Sequence, residues 1–61
     1  MDIEQIKRIT PRVTEYLIRT TSNGKHTITI WYDNIADTIF ITNDNTEVIW
    51  ELMNEVDRKH G

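Results

Sequence analysis

The chain contains no cysteine. Disulfides and thiolate metal sites are therefore excluded, and the composition fits a reducing compartment. Proline occurs once, at Pro11, and glycine twice, at Gly24 and Gly61. Long apolar runs are also missing. None approaches the roughly 20 residues that a membrane-spanning helix requires, and "MDIEQIKRIT" has no apolar signal core. The expectation is a soluble, cytoplasmic protein with no membrane association. The two histidines, His26 and His60, lack ligand spacing, so no metal site and no cofactor is expected.

What is present is one small domain of 61 residues. A chain of this size buries only about 60% of the surface its unfolded form exposes. Small scaffolds commonly rely on disulfides, metals or a partner subunit. Of these, oligomerisation remains, and a homodimer is expected.

Ile3, Ile6 and Ile9 recur at helical steps, and Pro11 should end that helix near Thr10. "RVTEYLIRTTS" is rich in β-branched and aromatic residues. Asn23-Gly24 then signals a two-residue type I′ hairpin turn. "KHTITIWYD" alternates, placing Ile28, Ile30 and Tyr32 on one face. A four-residue turn at Asn34 to Asp37 leads to a third strand, "DTIFITND". "DNTEVIWELMNEVDRK" reads as a last helix, with Asp44 as N-cap and Glu47 three residues on. Val48, Ile49, Leu52, Met53 and Val56 form its apolar stripe. The fold class is α+β: a short helix, a three-stranded antiparallel meander and a C-terminal helix packed on one sheet face.

These turns pair Leu17 with Ile30 and Tyr16 with Trp31. They also pair Ile30 with Ile41 and Trp31 with Phe40. One face then holds Leu17, Ile28, Ile30, Tyr32, Ile39 and Ile41 and takes the last helix. The other holds Tyr16, Ile18, Trp31 and Phe40. That second face is covered by the N-terminal helix or serves as a dimer interface. A bulge in the first strand would exchange the faces. A base-stacking role for the aromatics is disfavoured, because Arg12, Arg19 and Lys25 are few and scattered.

Charge is unevenly divided. Residues 1–25 carry Lys7, Arg8, Arg12, Arg19 and Lys25 against Asp2, Glu4 and Glu15, a net +2. Residues 26–61 carry Arg58 and Lys59 against Asp33, Asp37, Asp44, Glu47, Glu51, Glu55 and Asp57, a net −5. Glu47, Glu51 and Glu55 follow one another at about 6 Å along the last helix. Like charges at this spacing cost a few tenths of a kcal/mol per pair. The bland account is a solvated helix face. The sharper one is an anionic surface for a basic partner, with Trp50 as an anchor and Asp33, Asp37 and Asp44 as secondary contacts. A two-fold dimer would double the net charge of −3.

Catalysis has little support. Asp33 and Asp37 flank a turn, and turn acids mostly serve turn geometry. "TNDNTE" lacks the glycine and glutamate spacing of a calcium loop. No nucleophile is tied by motif to His26, and no phosphate loop or dinucleotide fingerprint appears. No enzyme activity and no catalytic residue is expected.

The order α-β-β-β-α, with "SNGKHTITIWYD" as its central hairpin, resembles the double-stranded-RNA-binding domain in outline. That family holds phosphates with a basic cluster at the start of its second helix. The corresponding stretch here is "DNTEVIWE", so no RNA-contact residue carries over and no direct nucleic-acid binding is expected. In size, acidity and element order the chain is similar to small phage-encoded proteins that disable host factors. These include nucleic-acid mimics of the kind that blocks the bacterial nucleoid protein HU. The resemblance implies an inhibitor that presents acids to a basic DNA-binding protein in the host cytoplasm. The alternative is a structural or adaptor subunit that binds a protein through its aromatic sheet face.

Overall fold

A computed structural model describes all 61 residues. Helix α1 spans Ile3–Ile9, strand β1 Val13–Thr20, β2 His26–Tyr32, β3 Ile35–Phe40, and helix α2 Thr46–His60. The sheet is an antiparallel meander in the order β1-β2-β3. The α+β architecture read from the sequence is the one observed.

Helix α1 begins with a reciprocal capping box. Asp2 Oδ1 accepts from the Gln5 N–H at 2.8 Å, and Gln5 Oε1 accepts from the Asp2 N–H at 3.0 Å. Glu4 in the first turn and Lys7 and Arg8 in the last suit the helix dipole. The helix ends at Ile9 and tightens into a 3-10 turn, Thr10–Arg12, with Pro11 inside it. Proline is tolerated there because no N–H is required of it.

The two hairpin turns are the reverse of the expectation. Asn23-Gly24 does not form a two-residue type I′ turn. The Gly24 N–H donates to the Thr21 carbonyl at 3.0 Å, and Thr21 N–H donates to Lys25 O at 2.7 Å. Gly24 alone has a positive φ, of 82°. This is a three-residue loop, a turn followed by one left-handed residue. The two-residue turn sits instead at Asp33-Asn34, where φ is 49° and 64° and Tyr32 pairs with Ile35. Asn and Asp tolerate the left-handed region better than other non-glycine residues.

The registers shift accordingly. Tyr16 pairs with Ile30, Leu17 with Thr29 and Ile18 with Ile28. Ile28 pairs with Ile39, Ile30 with Asp37, and Thr27 with Phe40. The register slips between Val13 and Glu15, a bulge that leaves Thr14 unpaired. The added loop residue moves Tyr16 and Ile18 to the helix-covered face and Leu17 to the open one. The set Tyr16, Ile18, Trp31 and Phe40 therefore does not share a face.

Helix α2 covers the sheet with the expected stripe: Val48, Ile49, Leu52 and Val56 are buried and Met53 half-buried. They meet Ile28, Ile30 and Ile39 of the sheet together with Val13, Ile6 and Ile9. Ile6, Ile28, Ile30 and Leu52 have no exposed surface, and burying such a side chain contributes about 1.5–3 kcal/mol. Helix α1 thus joins α2 in one core and leaves the second sheet face uncovered. Asp44 is not the N-cap of α2. Asn45 occupies that position, and its side chain is turned to the preceding loop. Its Oδ1 accepts from Thr42 N–H at 2.8 Å, and its Nδ2 donates to the Phe40 carbonyl at 2.9 Å.

Candidate functional surfaces

The end of α2 is tied to the start of β1, which sets the orientation of its outer face. Lys59 Nζ donates to the carbonyls of Pro11 and Val13 at 2.7 and 2.9 Å. His60 Nε2 donates to the Thr14 carbonyl at 2.7 Å. Tyr16 Oη donates to Asp57 Oδ1 at 2.9 Å. That hydrogen bond to a carboxylate raises the Tyr16 pKa, with burial as the second cause.

With α2 so placed, its acids face α1. Glu47 and Glu51 are exposed beside Lys7 and Asp44 in a shallow groove between the helices. Glu55 is half-buried and ion-paired to Arg58. An adjoining groove is lined by Asp2, Glu4, Asp44, Met1, Ile3 and Phe40. The starts of the two helices thus bring Asp2, Glu4, Asp44, Glu47 and Glu51 to one corner, with Lys7 and the Met1 amino group beside them. The sequence does not mark Asp2 and Glu4 as part of this surface, because they belong to its net-positive half. Only tertiary packing of α1 beside α2 joins them to the acids of α2.

Asp33 and Asp37 lie elsewhere, at the β2–β3 turn. Asp33 Oδ2 is 2.8 Å from Arg12 Nε. Asp37 Oδ2 accepts from Tyr32 Oη at 2.5 Å. The bond to Asp37 is the main cause that raises the Tyr32 pKa. The Arg12 guanidinium stands 5.8 Å from the Tyr32 ring centre, a cation–π distance. Both acids are engaged within the fold and do not join the acidic corner.

Trp50 is 59% exposed. At about 100° per residue it projects roughly 140° away from Glu55 and 60° from Glu47. Seven residues on, Asp57 shares its side of the helix and meets Tyr16 of β1. Trp50 therefore belongs to the β1 flank of α2, whereas Glu51 and Glu55 belong to the α1 flank.

The second surface is the open sheet face. It carries Leu17, 42% exposed, half-buried Trp31 and Phe40, 57% exposed. Threonines surround them, and the hydroxyls of Thr29 and Thr38 bond across β2 and β3 at 2.9 Å. Glu15 and Arg19 flank Leu17 along β1 on this face. No helix of the structure is long and apolar enough to cross a membrane. No protein-family model, curated protein or solved structure matches this chain.

Proposed function

We propose that this protein is a non-enzymatic inhibitor that presents an acidic surface to a basic DNA-binding protein, in the manner of a nucleic-acid mimic. The observation that carries this reading is the convergence of Asp2, Glu4, Asp44, Glu47 and Glu51 at the adjoining starts of α1 and α2. Glu4, Glu47 and Glu51 stand on the two helices, and Asp2 and Asp44 just before them. Phe40, Met1 and Ile3 beside them offer apolar contact. A Lys/Arg-rich surface that holds phosphates would be attracted by the same electrostatics.

The test is competition. The protein is added to a complex of the nucleoid protein HU with duplex DNA, and DNA release is followed by fluorescence anisotropy across a salt series. Release that weakens steeply with salt is expected. The double variant Glu47→Lys/Glu51→Lys should abolish it while circular dichroism is unchanged. Release that ignores both salt and these substitutions would refute the reading.

A second reading is favoured by a separate observation, the uncovered Leu17, Trp31 and Phe40 on the open sheet face. In that reading the protein is an adaptor whose sheet face docks on another protein. Its association would be insensitive to salt and lost in Trp31→Ala, with Glu47→Lys/Glu51→Lys having no effect.

A further inference from the structure

Strand β1 is an edge of the sheet. Thr21 N–H bonds the Lys25 carbonyl across the hairpin. Antiparallel pairs alternate between bonded and non-bonded. Counting from that bond through the register, the backbone groups of Arg19, Leu17 and Glu15 point to β2. Those of Tyr16, Ile18 and Thr20 point out to the free edge. An edge with free N–H and C=O groups is a template for another strand. The usual protections are thin here. The bulge and the His60 bond guard only the Thr14 end. Leu17 and Ile18, each 42% exposed, stand on the two faces of the unguarded part.

We infer that two copies of this chain pair through the β1 edges, antiparallel about a two-fold axis at Leu17, into one six-stranded sheet. The β1 sequence is self-complementary in this register. Leu17 lies opposite Leu17 of the second copy as a non-bonded pair, as its inward-pointing backbone requires. Tyr16 lies opposite Ile18 of the copy, and both exchange their free N–H and C=O groups. On the open face Glu15 lies opposite Arg19 of the copy, and Arg19 opposite Glu15. Opposite charges directly across a strand pair are favourable and like charges unfavourable. A register displaced by two residues would set Leu17 against Glu15 or Arg19 and lose both ion pairs, and one displaced by four would set Glu15 against its own copy, or Arg19 against its own. Trp50 is exposed on the α2 flank that borders β1, where the α2 of the second copy arrives. The assembly also joins the two open faces into one surface. It stands independently of the acidic reading above.

Sedimentation velocity over a concentration series tests this, with amide hydrogen exchange read by NMR. A reversible species of twice the 7.3 kDa chain mass is expected. The Tyr16 and Ile18 amides should become protected as it forms. Glu15→Arg and Arg19→Glu should each weaken dimerisation by about tenfold or more, because each places two like-charge pairs at the interface. The double exchange Glu15→Arg/Arg19→Glu should restore it. Both positions are exposed, so the fold is retained, and circular dichroism checks this. A chain that stays monomeric at millimolar concentration would overturn the inference. So would a dimer that loses its association in Trp31→Ala but ignores both single charge reversals, because it would pack through the open faces instead.

Discussion

Asn45 is nearly buried, with 9% of its surface exposed. Its amide holds the end of β3 to the start of α2 through the Phe40 carbonyl and the Thr42 N–H. Asn45→Ala leaves both groups without that partner, so a loss of about 1–3 kcal/mol in urea unfolding is expected. Asp44→Ala should stay within about 0.5 kcal/mol, because Asp44 is exposed and caps nothing. The opposite ranking would mean that Asp44 caps α2 in solution. The two tyrosine–aspartate bonds make stability depend on alkaline pH. Tyr16 and Tyr32 both have folded pKa values raised above 10.0, chiefly by their hydrogen bonds to Asp57 and Asp37. A raised folded pKa stabilises the protonated phenol. The contribution is complete below about pH 10 and is lost as pH rises through the folded values. The urea midpoint should fall above that pH, and Tyr16→Phe/Tyr32→Phe should flatten the fall. An unchanged slope in the double variant would show that neither bond forms.

At the scale of elements, the turns decide which side chains share a face. Asn34 holds a φ of 64°, a conformation that costs an ordinary L-residue about 1–2 kcal/mol. Asn34→Ala is expected to lower stability by about 1 kcal/mol. Asn23→Ala should cost clearly less, because Asn23 has no positive φ. Thermal melts of the two variants check this, and equal losses would contradict the observed turn types. The α1 capping box makes a parallel case. Asp2→Ala removes the cap at an exposed helix start and should cost about 1 kcal/mol. The sequence pattern Asp2-x-x-Gln5 already carried this signal. The analogous spacing Asp44-x-x-Glu47 carried it as strongly and was not used, because Asn45 took the cap position.

For the whole molecule, two helices on one sheet face make a single thin core. Leu52 is fully buried within it. Leu52→Ala should cost about 2–5 kcal/mol, a large share of the ~5–15 kcal/mol that holds a typical domain folded. Trp31→Ala, on the open face, should cost much less. Chemical denaturation of both would show whether the uncovered face is peripheral to stability, and comparable losses would mean that it is covered in solution. The same one-sided architecture leaves an acidic corner, an open face and a free β1 edge available at once.

The element order, the apolar stripe of α2 and the end of α1 followed from the sequence alone. These are local properties, set by periodicity, proline and composition within a few residues. The sequence also exposed its own weak point, the dependence of every face assignment on one residue of register. Only the tertiary structure decided that register: local propensity ranks Asn23-Gly24 first for a two-residue turn, yet the strand pairing gives Asn23-Gly24 a three-residue loop and Asp33-Asn34 the two-residue turn. The choice moved Tyr16 and Ile18 to the covered face and Leu17 to the open one. Tertiary packing likewise decided which acids stand together. Asp2 and Glu4 joined Asp44, Glu47 and Glu51, while Asp33 and Asp37 were drawn into bonds with Arg12 and Tyr32. Charges distant along the chain become one surface only when buried apolar residues, here Ile6 and Ile9 against α2, fix the helices that carry them.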